Sequence, residues 1–136
     1  MADMQKIADY LSECGVFYFA TIDGDAPVVR PLGFCMARDE KLYLGVGTFK
    51  DVYKQIQANP HIYICALKQD GASWIRISAK AVIDNDPALV DACFELIPDM
   101  KPVYEENGWE MGIFHLEGGT ITYVENVMQP AVTETF

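Results

Sequence analysis

The stretch LYLGVGTFKDVYKQIQANP, residues 42–60, carries residue types suited to holding a phosphate. It predicts a strand, a tight glycine turn, and a helix from Thr48 to Ala58 that stops at Asn59-Pro60. Lys50 falls in the first turn of that helix, where unpaired amides and the helix dipole already create positive potential. A lysine and amide donors directed at one spot favour an anion. Lys54, one turn later, either adds a second positive charge to the same anion or is simply solvated.

The glycine turn matches neither the Walker A loop nor the dinucleotide-binding GxGxxG pattern. Gly45 and Gly47 allow close backbone approach. Thr48 is placed to cap the helix, and Asp51 completes a Thr-x-x-acid capping box. An ordinary strand-to-helix turn explains the same residues, so the spacing alone leaves both interpretations open.

Arg30 lies within an apolar strand, in the sequence VVRPLGF. An inward-facing arginine needs a partner, which we expect to be a carboxylate or a bound anion. Pro31 removes a ladder donor and so favours an edge strand or a bulge. The alternative is an outward-facing arginine on an amphipathic strand. Trp74 and Trp109 offer flat surfaces for stacking on a ligand ring, although core or interface packing is the commoner role of a tryptophan.

The net charge of −10 argues against nucleic acid and anionic membranes as partners. The charge is unevenly distributed along the chain. Residues 26–83 contain eight basic and four acidic residues, a net charge of +4, whereas the remainder has two basic and 16 acidic residues. A locally basic segment in an acidic chain indicates an anionic ligand there, unless its lysines only protect strand edges.

The cysteines and histidines are scattered, and no pair has the spacing of a metal site. They are Cys14, Cys35, Cys65, Cys93, His61 and His115. We therefore predict no metal ligands and identify no general acid or base. The N-terminus has no secretory signal pattern and no apolar run spans a bilayer, so we expect a cytoplasmic protein.

Periodicity predicts a mainly β, α+β fold in one domain, residues 1–136. The expected strands are 16–22, 28–36, 42–46, 61–68, 74–82, 111–116 and 120–124. An N-terminal helix lies within residues 1–15, further helices are expected at 48–58, from Pro87 and at 99–107, and residues 125–136 form a C-terminal arm. Short turns between strands, without regular crossover helices, favour a small closed or split β-barrel of six or seven antiparallel strands.

Three segments in this order resemble the pyridoxamine 5′-phosphate oxidase-like, FMN-binding split-barrel family. They are FATIDGDAPVVRPLGF, LYLGVGTFKDVYKQIQANPHIYICA and SWIRISAKAVI. The shared marks are the arginine in the second strand, the Thr-x-Lys turn before a helix ending in Asn-Pro, and the alternating strand ending in Ala-Lys-Ala. The resemblance covers residues 16–83 well.

The resemblance implies a homodimer with FMN at the subunit interface and an oxidoreductase activity on a small molecule, with NAD(P)H as one candidate donor. By position, the flavin-contacting residues would be Arg30, Pro31, Leu32, Val46, Gly47, Thr48, Lys50, Lys54 and Trp74. In this assignment Lys50, helped by Lys54, holds the phosphate. Trp74 replaces a glutamine that family members often place near the flavin, and Trp109 is a candidate for a wall supplied by the second chain.

The C-terminal sequence ENVMQPAVTETF departs from true pyridoxamine 5′-phosphate oxidases, which end in a basic segment that grips the substrate phosphate. It has no arginine or histidine, so we do not expect oxidation of pyridoxamine phosphate. The short form resembles nitroimidazole-reductase-like relatives. A non-catalytic module that binds or senses flavin, haem or the deazaflavin F420 on the same fold is the alternative.

Overall fold

The fold is built on an antiparallel sheet of eight strands. The computed structural model describes residues 2–136. The strands are β1 (Phe17–Asp23), β2 (Ala26–Leu32), β3 (Cys35–Arg38), β4 (Lys41–Gly47), β5 (His61–Leu67), β6 (Trp74–Ile83), β7 (Met111–Tyr123) and β8 (Val132–Thr135). The helices are α1 (Met4–Cys14), α2 (Asp51–Ala58), α3 (Pro87–Leu96) and α4 (Met100–Asn107). Met1, the start of the predicted N-terminal segment, lies outside the described residues. Across residues 2–136 the helices are too short or too polar to span a membrane.

The strand order shows why the sheet curls. The order is β2-β1-β5-β6-β7-β4-β3, with β8 also paired to β7. Its two end strands, β2 and β3, are consecutive in the chain and joined only by Gly33 and Phe34. A two-residue connection cannot cross a flat sheet of this width, because neighbouring strands lie about 4.8 Å apart. The sheet therefore bends until its ends approach, and the predicted α+β split-barrel class is confirmed.

Three predicted strand boundaries were wrong, and together they raise the strand count from six or seven to eight. The segment 28–36 divides at Gly33-Phe34 because its two halves pair at opposite ends of the sheet. Segments 111–116 and 120–124 form the single strand β7, which pairs with β4 and then with β6. The C-terminal arm contributes β8, whose residues pair with 120–123 of β7.

A bulge keeps β7 continuous where the sequence suggested a turn. Ser78 pairs with Thr120 and Lys80 with Glu117, so two residues of β7 oppose Ala79. Gly118 has φ +60, and a Cβ on Gly119 would lie 2.2 Å from the carbonyl oxygen of Ser78. The glycine pair therefore permits the bulge instead of ending the strand.

The barrel interior is filled by apolar side chains from alternate strand positions, with α1 covering one end. The large, fully buried side chains include Phe17, Phe19, Leu44, Ile64, Ile75, Ile77, Phe114 and Tyr123. Asp3 caps α1 by accepting hydrogen bonds from the Gln5 and Lys6 amides, and Gly15 ends it with φ 83. A smaller core, which includes Tyr43, Leu89, Cys93, Tyr104 and Ile113, joins α3 and α4 to β4 and β7.

The helix α2 is seated on β7 by one close approach. The ring of Tyr53 lies over Gly112, where an added Cβ would come within 2.3 Å of the tyrosine Cε1. The Tyr53 hydroxyl accepts a hydrogen bond of 2.9 Å from the Asn85 side-chain amide, whose oxygen accepts one of 2.8 Å from the Ile113 amide. The absence of a side chain at Gly112 thus fixes how deeply α2 sits.

Replacing Gly112 by alanine is therefore expected to lower the free energy of unfolding by about 1–3 kcal/mol, because the methyl group must displace the Tyr53 ring. Urea unfolding measures this loss. Gly33→Ala is the matched control, because its nearest added contact is 4.0 Å away and its φ is not positive. Equal stability of the two variants would contradict the seating of α2 on Gly112.

Candidate functional site

The helix α2 begins later than the sequence predicted. Its first residue is Asp51 and Lys50 is the N-cap, in extended backbone (φ −81, ψ 152) with no side-chain capping bond. The predicted helix start and cap at Thr48 were wrong, because the Thr48 amide donates to the carbonyl of Glu110 at 2.9 Å and prolongs the β4–β7 pairing. Asp51 consequently completes no capping box, and Lys50 precedes the first turn instead of lying within it.

The start of α2 nevertheless gathers donors. The Lys50 amide donates to the Gly47 carbonyl at 3.0 Å, whereas the Asp51 and Val52 amides find no acceptor within residues 2–136. The Lys50 side chain is exposed and forms no ion pair with the described residues. Two amides at a positive helix end beside an unengaged ammonium group form a surface that a phosphate fits. The Asp51 carboxylate, in the same turn, partly offsets this positive potential.

Arg30 faces the barrel and bonds to neutral oxygens, not to the charged partner that the sequence suggested. Its guanidinium donates to the Thr21 hydroxyl at 2.8 Å, the Gln55 side-chain oxygen at 2.6 Å and the Phe19 carbonyl at 3.2 Å. The buried Thr21 hydroxyl also donates to Gln55 at 2.6 Å. Burial lowers the pKa of Arg30, and nearby Asp51 acts in the opposite direction. Arg30 therefore ties β1 and β2 to α2.

Thr21 and Gln55 are site residues that sequence reasoning missed. The only available signal was an arginine inside an apolar strand, which demands oxygen acceptors without saying where they are in the chain. Gln55 follows Arg30 by 25 residues, and a neutral amide in a helix has no distinguishing pattern.

The other predicted cofactor residues lie at the end of β4, on β2 and on α2. Val46 and Gly47 are buried at the end of β4, and Thr48 is half-buried beside them. Leu32 shares the inward face of β2 with Arg30, whereas Pro31 points outward, because side chains alternate along a strand. Lys54, on α2, lines a cleft of about 320 Å³ with Ile22, Asp23, Gly24, Asp51, Gln55 and Ala58.

Trp74 lies apart from these residues. Ala20, next to Thr21, pairs with Tyr63, and Tyr63 pairs with Ser78, four residues along β6 from Trp74. Four residues of strand span about 13 Å. The Trp74 ring packs against the guanidinium of Arg76. The backbone carbonyl of Trp74 accepts a hydrogen bond from the Tyr10 hydroxyl of α1. The fold therefore places Lys50, Lys54 and Arg30 on or beside α2, and places Trp74 elsewhere.

Two larger clefts lie around α1, and no residue of α2 lines either of them. Their volumes are about 480 and 510 Å³. The larger is lined by Asp3, Asp9, Glu13 and Glu125 against two lysines, Lys6 and Lys68, which already contact Glu125 and Glu13. The smaller is lined by Arg38 together with Asp3, Asp39 and Glu40. In both clefts the acidic side chains therefore outnumber the basic ones. Within residues 2–136, no three His, Cys, Asp or Glu side chains cluster as a metal site requires.

The curled antiparallel sheet, capped by α1 and carrying α2 beside a cluster of donors, defines an α+β split-barrel protein. A family model described as pyridoxamine 5′-phosphate oxidase matches residues 4–104. The chain therefore belongs to the pyridoxamine 5′-phosphate oxidase family. A comparison with curated proteins finds no match.

Solved structures with this fold span nearly the whole chain. A NimC/NimA family protein from Clostridium acetobutylicum has a TM-score of 0.87 and 29% identity, over 98% of this chain and 92% of that chain. General Stress Protein 26 from Bacillus anthracis has a TM-score of 0.70 and 13% identity, over 97% and 98%. A pyridoxamine 5′-phosphate oxidase-related, FMN-binding protein from Nostoc punctiforme has a TM-score of 0.62 and 14% identity, over 98% and 93%. The last two identities are low enough that these likenesses concern the fold alone.

The acceptor role of Gln55 predicts a stability loss in Gln55→Leu, because Arg30 and the buried Thr21 hydroxyl each lose a hydrogen-bond partner. We expect the free energy of unfolding to fall by about 1–3 kcal/mol, measured by urea denaturation. Gln57→Leu, at an exposed position of the same helix, is the matched control and should remain close to wild type. If both variants lost stability equally, helix composition and not the Arg30 network would be responsible.

Proposed function

We propose that the chain is an FMN-binding oxidoreductase that acts as a homodimer on a small molecule. The observation that carries this proposal is the start of α2, where the Asp51 and Val52 amides and the Lys50 ammonium group are unengaged within residues 2–136. Membership of the pyridoxamine 5′-phosphate oxidase family supports a phosphate-bearing cofactor at this place. The FMN-binding description of the Nostoc relative supports FMN as that cofactor.

The residues at α2 fit the terminal phosphate of FMN by their chemistry. Lysine supplies a mobile point charge, and backbone amides at a helix start supply directed donors. Lys54, four residues later, lines the 320 Å³ cleft with Asp51 and adds a second ammonium group on α2. Both lysines are exposed, so binding a phosphate does not require breaking an existing ion pair.

FMN, when bound, supplies one- and two-electron redox chemistry that amino-acid side chains lack. The chain's own part is binding and orientation. In this proposal α2 fixes the phosphate, while the backbone of Val46, Gly47 and Thr48 forms a rigid support at the end of β4. That support is anchored by the Thr48–Glu110 backbone bond. Proton transfer is assigned to no side chain in this proposal.

The homodimer is supported by one side of the sheet, which we call the outer face. It comprises alternate residues of β2, β1, β5 and β6: Pro27, Val29, Pro31, Tyr18, Ala20, Ile22, His61, Tyr63, Cys65, Leu67, Trp74, Arg76, Ser78 and Lys80. Val29 is 64% exposed, Tyr18 53% and Leu67 52%. None of these residues is acidic, although the chain carries 20 Asp and Glu. This face combines exposed apolar side chains with the basic residues Arg76 and Lys80 and carries no acid, a composition that suits contact with a second copy of this acidic chain.

The outer face also reaches the cofactor site. Ile22 lines both the 320 Å³ cleft at α2 and a second cleft of about 220 Å³ on the outer face, which includes Pro27, His61 and Tyr63. Each cleft lies near or below the lower end of the roughly 300–1,000 Å³ usual for ligand pockets. A second copy over the outer face would enclose this region, so the proposed dimer and the proposed cofactor site depend on each other.

The phosphate assignment is tested with Lys50→Ala. Loss of a charge-assisted hydrogen bond should weaken FMN binding by about tenfold or more. Flavin fluorescence during titration of the FMN-free protein measures the Kd. Lys101→Ala removes the same charge from an exposed position on α4 and should leave the Kd unchanged. Unchanged affinity in Lys50→Ala would exclude this lysine as the phosphate partner, and a wild-type protein that binds no FMN would overturn the proposal.

The dimer is tested with the double variant Val29→Asp/Tyr63→Asp, which places like charges on the outer face. Both residues are already exposed, so the protomer should stay folded while the dimer dissociates and FMN affinity falls. Analytical ultracentrifugation gives the oligomeric state, and circular dichroism checks the fold. Leu96→Asp/Val127→Asp carries the same charge change at exposed apolar positions elsewhere and should remain dimeric. A monomeric wild-type protein would contradict this part of the proposal.

A further inference from the structure

A separate cleft of about 400 Å³ opens between α3 and the turn that leads from β4 into α2. Its lining residues are Thr48, Asn85, Pro87, Val90, Asp91, Phe94, Trp109, Glu110 and Met111. The floor is apolar, with Met111 buried and Val90 and Phe94 half-buried. Thr48 belongs both to this cleft and to the backbone support proposed for the flavin. The cleft therefore lies directly beside the proposed cofactor site.

One wall of the cleft is an aromatic surface that is already rigid. The Trp109 ring stacks on Phe49, with centroids 4.5 Å apart and an interplanar angle of 29°. The rings of Tyr104 and Trp109 pack in a T-shaped arrangement with their centroids 5.7 Å apart. The rings of Phe94 and Tyr104 pack in the same way at the same centroid distance. Trp109 is still 39% exposed, so these neighbours orient the ring without covering it. A held, partly exposed indole is suited to contact a flat ring or a cation.

The charges at the cleft have one sign. Asp91 and Glu110 are exposed, and neither side chain has a hydrogen bond or ion pair with another described residue. Glu110 is fixed in position by its backbone, since its carbonyl accepts the Thr48 amide at 2.9 Å. The described lining includes no basic residue. The amide of Asn85 is occupied by Tyr53 and Ile113, which leaves the two carboxylates as the strongest polar groups available to a ligand.

We propose that this cleft binds a flat aromatic ligand carrying a positive charge. Its ring lies against Trp109 and Phe94, and its charge is placed near Asp91 and Glu110. Resting on the proposed function, this ligand is the organic substrate, because Thr48 joins the cleft to the flavin support. An anionic ring, such as one bearing a carboxylate or phosphate, is disfavoured by the same two carboxylates. In this proposal the anionic phosphate of the cofactor lies near Lys50, and the cationic substrate lies near Asp91 and Glu110.

The test uses three probes that share one ring and differ in charge: 1-methylnicotinamide (positive), nicotinamide (neutral) and nicotinate (negative). Each is titrated into ¹⁵N-labelled protein, with and without FMN, while the Trp109 indole N–H resonance is followed. We expect saturable shifts at Trp109 and about tenfold tighter binding of the positive probe than of the negative one, because each exposed carboxylate contributes modestly. Absence of saturable shifts at Trp109, or equal affinity for all three probes, would overturn the proposal.

Two variants separate cleft charge from overall charge. Asp91→Asn/Glu110→Gln keeps side-chain size and should bring the three affinities to within about twofold, with nicotinamide unchanged. Glu105→Gln/Glu106→Gln removes the same two charges from exposed positions on α4 outside the lining and should preserve the tenfold preference. A preference that survives the first pair, or disappears with the second, would assign the effect to the net charge of −10 and refute the site.

The probe titrations test the cleft whether or not FMN binds to the protein. If FMN fails to bind while the probes still shift Trp109 with the expected charge order, the proposed function is wrong and the cleft stands as a cation-binding site. If FMN binds and the probes do not, the cleft proposal alone fails.

Discussion

The candidate phosphate site depends on the side-chain contacts that fix α2 against the barrel. Tyr53 and Gln55 are two positions apart, so they point about 200° apart around the helix and reach opposite parts of the barrel. Tyr53 rests on Gly112 of β7 and accepts a hydrogen bond from Asn85, whereas Gln55 accepts hydrogen bonds from Arg30 and Thr21 at the other side of the curled sheet. Neither contact involves the start of the helix. The clamp therefore fixes α2 while leaving the Asp51 and Val52 amides and Lys50 available.

Local signals in the sequence predicted those features whose cause is local. Asp3 caps α1, and Asp86 with Pro87 starts α3, because a side-chain oxygen and the nearby amides suffice for a cap. The break at Gly33-Phe34 has a different origin, since it comes from pairing at opposite ends of the sheet. The continuity of β7 likewise depends on β6, whose Ala79 faces two residues across the bulge. Such pairings are made between distant segments and leave no periodic signature in either one.

The candidate site shows the same division. Lys50 and Lys54 could be predicted as candidates because a basic segment in an acidic chain is visible in composition. The partner of Arg30 could not, since burial of an arginine requires oxygen atoms but does not require a negative charge. A hydroxyl, an amide oxygen and a carbonyl together replace the carboxylate that charge pairing suggests. The helix start at Thr48 was misassigned because the Glu110 carbonyl, 62 residues away, holds that amide in the sheet.

The strand β2 explains why adjacent predicted cofactor residues need not act from the same surface. Arg30 and Leu32 face the barrel, and Pro31 faces outward, so a ligand against one surface of β2 meets only alternate residues. A ring could contact both sets only at an exposed edge, and β2 is an end strand of the sheet. That edge joins the α2 contacts on one side to the acid-free outer face on the other. Residues consecutive in the chain can therefore serve one cofactor only where the two surfaces meet, and the proposed dimer would enclose that place.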